Sequence, residues 1–470
     1  MLVAALGATM FFPLLIDYAS GTGHWPAFLE SAIVTMVIGG SIALACANGL
    51  RDHLSIQQTF LLTAGVWLAL PFFGALPFLF GATQSSMVDA IFEATSALTT
   101  TGSTVFEGLE HLPRGLLFWR GMMQWFGGIG IIIVAMVFLP ELRVGGMQVF
   151  RTEAFDTFGK ILPRAAEIAS QISVAYFGLT VACALSYLVI GLEPFDAVTH
   201  AMTTLATGGM ANYDHSFAEF PPATEYVASL FMLAAALPFV RYVQLLAGSA
   251  RPLLQDIQIR VFLATAAVFV MVIALWQIAF SPGSLEQSFR QALFNVVSIL
   301  TGTGFASEDY GSWGAFPVAT FFFMGLVGGC AGSTACSIKV FRYQLLFSAI
   351  RAQIRRIHSP HGVFFVRYGG RRVGDGVLSS VMAFFVLFIV SLGVIAVLLA
   401  LTGLDFITSV SGAATAIANI GPGLGPIIGP AGNFAPLNDT AKWILVAAML
   451  IGRLELLTVY VLFTRGFWRG

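Results

Sequence analysis

Long apolar runs, broken at intervals by short polar connections, dominate the chain. A helix that crosses a bilayer needs about 20 apolar residues, and that rule picks out ten candidate spans, near residues 3–20, 27–48, 58–80, 115–140, 171–192, 222–248, 258–280, 315–345, 376–402 and 441–464. Shorter apolar segments lie around 87–100, 196–207, 289–302 and 406–419. Each is too short to span and runs into a glycine-bearing polar stretch. A short helix followed by exposed backbone predicts a re-entrant loop, because non-helical backbone at membrane depth is tolerated only where protein buries it or where it lines a watery path.

The four short segments align on one glycine. FEATSALTTTGS (92–103), THAMTTLATGGM (199–210), FNVVSILTGTGF (294–305) and SGAATAIANIGP (411–422) superimpose Gly102, Gly209, Gly304 and Gly421. Six residues earlier stands a hydroxyl side chain (Ser96, Thr203, Ser298, Thr415), and four earlier an aliphatic one (Leu98, Leu205, Leu300, Ile417). Such a fourfold coincidence marks an internal repeat. The expected fold is an all-α integral membrane protein: a two-helix prefix (1–48), then four units of helix, re-entrant pore helix and helix at 56–144, 165–250, 255–350 (with an intramembrane loop) and 374–470, around a central pore.

Composition agrees: 57% of the 470 residues are hydrophobic and 10% charged, beyond what a soluble core can hide. Cys46, Cys183, Cys330 and Cys336 form no CxxC pair, which argues against a disulfide framework or a zinc site. The first apolar stretch lacks a basic leader and a small-residue cleavage site, so it reads as a retained helix, and its abrupt start also permits a trimmed N-terminus.

Net charge is near zero, but its distribution is uneven. Lys and Arg gather on alternate connections: Arg51; Arg143, Arg151, Lys160 and Arg164; Arg241, Arg251 and Arg260; Lys339 through Arg372; and Arg465 with Arg469. The positive-inside rule makes those connections, and both termini, cytoplasmic. Acidic residues fall mainly outside, including Asp89, Glu93, Glu107, Glu110, Asp196, Asp214, Glu308, Asp309 and Asp405. They suit a vestibule that concentrates cations, or are ordinary solvated loop charges.

Four glycine turns around one axis would make a cation path. Glycine allows φ values closed to other residues, so its carbonyl and those of its two predecessors can point inward: Thr100, Thr101 and Gly102; Thr207, Gly208 and Gly209; Gly302, Thr303 and Gly304; Asn419, Ile420 and Gly421. Carbonyl rings replace the hydration shell of a monovalent cation, and the short helices would aim their negative C-terminal ends at it. Taken singly, each glycine also suits plain helix packing.

The turns TTTGS, TGG, TGTGFASEDYG (301–311) and NIGPG (419–423), with GGCAGSTACSIKVFR (328–342) and GRLE (452–455), resemble the Trk/Ktr/HKT superfamily of cation transporters over essentially the whole chain. With its two-helix prefix the chain is most similar to the potassium-uptake subunits of that superfamily. The resemblance implies that all four repeats share one chain, that the filter glycines bind and select potassium, and that the protein sits in a bacterial inner membrane. It further implies a homodimer above a cytosolic, TrkA-like ring of nucleotide-binding regulatory subunits. A serine at the first filter position accompanies sodium preference in relatives, and Gly102 stands there instead. Two departures stand out: Met210 follows the second filter glycine where an aromatic residue is usual, and Ala335-Cys336-Ser337 replaces a glycine-rich run.

The small and hydroxyl residues Gly328, Cys330, Ala331, Gly332, Ser333, Thr334, Ala335, Cys336 and Ser337 make a poor helix interior. Gly328 and Gly332 also fit a GxxxG packing face. The resemblance, and the position between a pore turn and the basic connection, tip the reading toward a gate beneath the filter. Arg453, mid-way along the last span, is costly in lipid at about 2.5 to 3.5 kcal/mol. It is expected to face the pore below the filter, the alternative being a salt bridge to another helix. The eight Lys and Arg residues from Lys339 to Arg372 serve topology and lipid contact, or dock the cytosolic ring.

No GxxxxGK[ST], HExxH or strand-linked GxGxxG stretch is present, so neither ATP hydrolysis, an organic cofactor nor nucleic-acid binding is expected. A potential of roughly 150 mV gives an entering charge about 3.5 kcal/mol, enough to hold roughly a 300-fold gradient. The competing readings are an ion-coupled symporter, a sodium-permeable relative and a membrane enzyme built around His200 and Asp196. The last is weak, because a histidine on a pore helix is ordinarily a packed, hydrogen-bonded residue.

Overall fold

The computed structural model describes residues 1–47, 55–83, 85–138, 146–147, 165–281 and 283–469. The basic positions Arg51, Arg143, Arg151, Lys160 and Arg164 lie outside the described residues. The chain is helical nearly throughout, its one β element being the two-residue-per-strand hairpin Arg367–Tyr368 with Arg371–Arg372 among the described residues.

Each repeat opens with an outer helix: Ile56–Gly74, Ala165–Ile190, Ile257–Phe280 and Asp375–Leu401. A pore helix follows, Met87–Leu98, Pro194–Leu205, Leu285–Thr301 or Phe406–Ala418. These are 12 to 17 residues long, about 18 to 26 Å at 1.5 Å per residue, short of the bilayer core of about 30 Å. Local chemistry fixes where they begin. Ser86, Ser284 and Asp405 accept the backbone N–H of the third helical residue, and Pro194 opens the second at a position where its missing N–H costs nothing. Asp405, outside the spans, is held below the usual carboxylate range by the hydroxyl and backbone N–H of Thr408.

Inner helices close the repeats at Arg114–Ile133, Pro222–Ala235, Ala315–Gly325 and Asp439–Arg453. Among the described residues, seven helical segments are long and apolar enough to cross a membrane. The spans expected at 222–248 and 441–464 are bent, by 91° after Ala235 and 109° after Arg453. The one expected at 315–345 stops at Gly325, and helix resumes only at Val340. The first inner helix passes into a π-helical turn at Val134–Phe138. All four inner helices thus lose α geometry beyond the pore turns. Pro238 explains one break, since proline removes a backbone donor and restricts the residue before it. At the last, Glu455 takes a left-handed backbone with φ +60°.

The prefix packs on the first repeat. Asp17, fully buried, accepts the Gly115 N–H at 2.6 Å at the start of the first inner helix and lies 2.9 Å from His24 Nδ1.

Candidate functional site

The four pore helices end alike. In each, the N–H of the residue before the aligned glycine donates back to the carbonyl of the aligned hydroxyl residue: Thr101 to Ser96 (2.8 Å), Gly208 to Thr203 (3.0 Å), Thr303 to Ser298 (2.8 Å) and Ile420 to Thr415 (3.1 Å). With the preceding N–H bonded to the next carbonyl, as from Thr100 to Ala97, this is the Schellman closure of a helix. It requires a left-handed residue one step earlier, and Thr100, Thr207, Gly302 and Asn419 have φ of 52°, 48°, 75° and 51°. The aligned glycines are left-handed again, at 88°, 74°, 84° and 111°. The residue between has negative φ. Alternating handedness turns successive peptides so that their N–H groups share one side, here toward the pore helix.

The turns close into a ring. A Cβ on Gly102 would overlap the Gly208 carbonyl, one on Gly209 the Thr303 carbonyl, and one on Gly304 the Ile420 carbonyl; one on Gly421 would meet Thr101 O at 2.9 Å. The relation runs from each repeat to the next and from the fourth back to the first. All twelve residues singled out from the sequence therefore lie in one ring. A cavity of about 380 Å³ opens on its glycine side and reaches all four aligned glycines.

Side chains bolt the ring from behind. Gln124, buried on the first inner helix, donates from Nε2 to Gly208 O at 2.6 Å and accepts the Met210 N–H at 3.1 Å, so one amide straddles Gly209. Asn419 donates to the Thr101 hydroxyl at 2.9 Å and Ser103 to Gly421 O at 2.8 Å, which locks the fourth turn to the first. Buried Glu93 and Arg120 pair at 2.7 Å, and Arg120 also donates to Ala211 O. None of Gln124, Ser103 or Arg120 was picked out from sequence, although a lone amide or cation within an apolar helix is a signal for a buried partner. Met210 is buried, its N–H fixed by Gln124.

Most of the outer acids are committed. Asp89 pairs with Lys442 at 2.6 Å, Asp196 accepts from Asn212 and Tyr213, and Asp214 accepts the N–H groups of Gly108 and Leu109. Burial, then Asp196, pushes the Tyr213 phenol up to about 12, so it stays a donor. Of the carboxylates, Glu107 and Asp214 line the cavity. His200 accepts the Asn212 N–H at Nε2 (3.3 Å) and lies 2.9 Å from the Asp196 carbonyl through Nδ1, its ring packed among Phe217, Phe220 and Phe305.

On the ring's other face lies the segment between Gly325 and Val340, almost wholly buried. Its backbone pairs with the break in the second inner helix: Cys330 N–H to Ala236 O (3.0 Å), Phe239 N–H to Gly332 O (2.9 Å), and the Thr334 hydroxyl to Ala235 O (3.0 Å). Ser337 N–H reaches Ala418 O at 3.0 Å, and Cys336 packs under Gly302, with its Sγ 3.6 Å from the Thr100 hydroxyl. Arg453, 4% exposed, donates to Cys336 Sγ at 2.8 Å and to the carbonyls of Thr334 and Gly127 at 3.4 Å. No carboxylate pairs with it among the described residues; Glu455 instead meets Arg342 at 2.6 Å. The guanidinium therefore brackets the loop.

The TrkH model, a cation transport protein family, matches residues 24–467. The chain belongs to the TrkH family. It is 47% identical to the Trk system potassium uptake protein TrkI of Halomonas elongata, over 94% of this chain and 92% of that one. It is 36% identical to the Trk system potassium uptake protein TrkH of Escherichia coli over 100% and 98% of the two chains. The crystal structure of the potassium transporter TrkH from Vibrio parahaemolyticus superimposes with a TM-score of 0.91 at 34% identity, covering 100% of this chain and 97% of that one. This TrkH-family member is thus a multi-pass membrane transporter, not an enzyme.

Proposed function

We propose that the chain carries potassium into the cell through the ring of four glycine turns. The observation that carries this reading is the fourfold alternation of left-handed backbone at Thr100/Gly102, Thr207/Gly209, Gly302/Gly304 and Asn419/Gly421, closed head to tail. Such a ring offers carbonyl oxygens in place of water around a dehydrated monovalent cation. It also gathers the negative ends of four pore helices. The names of the relatives support potassium as the cargo.

The driving force is mainly the membrane potential. The loop from Gly328 to Ser337 is the gate, lying against the first residues of the turns and held by Arg453. The site is a bacterial inner membrane, with both termini cytoplasmic. The chain works as a homodimer on a cytosolic nucleotide-binding ring, to which the basic segment Lys339 to Arg372 docks. The decisive experiment is ion flux in proteoliposomes with potassium, rubidium, sodium and lithium under a set potential. Potassium and rubidium are expected to pass and sodium and lithium to be held back. Equal sodium flux, or uptake that persists only with an imposed proton or sodium gradient, overturns the reading.

A further inference from the structure

The basic helix Val340–His358, the hairpin after it and the first turns of the fourth outer helix enclose a cavity of about 550 Å³. Its walls are apolar, with Leu346, Ile350, Val373, Leu378 and Met382 among them, while Arg356 and Arg372 stand on its rim. Arg356 is fixed by donating to Phe364 O at 3.1 Å, and the Arg372 guanidinium lies 3.7 Å over the Phe365 ring, so both are oriented with donors to spare. Asp375, also on the rim, is in the first turn of the outer helix. Between Lys339 and Gly374 the chain carries eight Lys or Arg residues and no Asp or Glu.

The cavity continues onto a lipid-facing ridge. Leu378 and Met382 begin a row at four-residue spacing along the fourth outer helix that runs on through Val386, Val390 and Val394, which are 62%, 54% and 54% exposed. That helix, Asp375–Leu401, is one of the apolar spans. An occupant must therefore present an anion to two arginines at the membrane edge and a long apolar tail to the span.

We propose that this cavity is a binding site for one anionic diacyl phospholipid, its phosphate between Arg356 and Arg372 and one acyl chain laid along Leu378, Met382 and Val386. The site lies apart from the ion path: none of the residues lining it lines the cavity at the glycine turns. Because the basic helix follows the intramembrane loop directly, a lipid there ties that helix to a fixed span.

The test is retention of phosphatidylglycerol by the full-length purified chain in detergent, measured by native mass spectrometry against phosphatidylcholine. One phosphatidylglycerol per chain is expected to survive dilution that strips phosphatidylcholine. At about five-fold per arginine near a membrane surface, the Arg356→Gln/Arg372→Gln double variant should retain it about 25-fold more weakly. Met382→Trp, which fills the groove and spares both arginines, should also weaken retention. Arg351→Gln, on the same helix but off the cavity, should not. Equal losses in Arg351→Gln and the double variant would reduce the effect to diffuse charge and overturn the site. So would retention unchanged in the double variant, or retention that tracks only loss of the dimer in size-exclusion light scattering, which would make the groove a contact between copies.

Discussion

Thr100, Thr207 and Asn419 hold a backbone that costs a non-glycine residue about 1 to 3 kcal/mol, and the ring holds all three. Their strain could not be read from sequence, because glycine marks that position only once, at Gly302. The aligned glycines were legible, since their spacing repeats four times; what lay hidden was the atom each must avoid. Serine at Gly102, Gly209 or Gly304 drives Cβ into a neighbouring carbonyl, whereas at Gly421 the nearest atom is 2.9 Å away. All four serine variants should bring the potassium-to-sodium flux ratio toward unity, with Gly421→Ser keeping most of its preference. Unchanged ratios in Gly102→Ser would remove these residues from the filter. Gln124 makes a sharper case. Gln124→Leu leaves Gly208 O and the Met210 N–H buried without this partner, at about 1 to 3 kcal/mol each. Its expected effect is lost ion preference with normal folding and membrane yield. A variant with wild-type selectivity in the same flux assay would reduce the amide to packing.

At the scale of elements, the length of the apolar runs located the helices but not their breaks. The run of small and hydroxyl residues after Gly328 showed the third break, because such residues bond backbone better than they sustain a helix. Pro238 was a readable signal inside an apolar run long enough to pass for one span. The turn at Leu454 and Glu455 carries no such mark; Gly452 packed against the Ile417 carbonyl, Arg453 on the loop and Glu455 paired with Arg342 hold that end of the last inner helix. Arg453 was expected from sequence to face the pore below the filter, or else to form a salt bridge to another helix; it lies buried against the loop's Thr334 carbonyl and Cys336 thiol and the Gly127 carbonyl. Arg453→Ala removes three donor contacts, two of them to the loop, at about 1.5 to 3 kcal/mol for a good charged bond and less at 3.4 Å. It should raise basal potassium flux with ion preference intact. Deleting Gly332 to Ala335 should do so more strongly, since it also cuts the bonds to Phe239, Ala235 and Arg453. Low, regulator-dependent flux in a deletion variant that assembles normally would put the gate elsewhere.

For the whole molecule, the repeat alignment implied four units, but only the contacts between turns give their cyclic order. Further contacts tie the ring of turns to the basic helix by a short path. Cys336 lies under the first residues of the turns, Ile338 pairs with Val327, and the basic helix begins at Val340. Movement of that helix would reach the loop without an intervening flexible segment. On the proposed function, a cytosolic ring would grip the face of the helix that is not already turned to the fourth outer helix. Leu346, Ala349, Ile350, Gln353 and Arg356 line the cavity on that inner side. Arg351 and Arg355, one turn apart and exposed, are absent from it and share the opposite face. Neutralising Arg351 and Arg355 together should weaken co-purification of the nucleotide-binding ring by up to about fivefold, in line with about 1 kcal/mol or less for an exposed pair. It should also flatten the salt dependence of that association. Arg356→Gln alone should leave it intact, because that side chain, though exposed, is tied to the Phe364 carbonyl on the cavity side of the helix. Equal loss from Arg356→Gln, or none from the double variant, would show that the ring is held by other surfaces and that the basic helix serves topology alone.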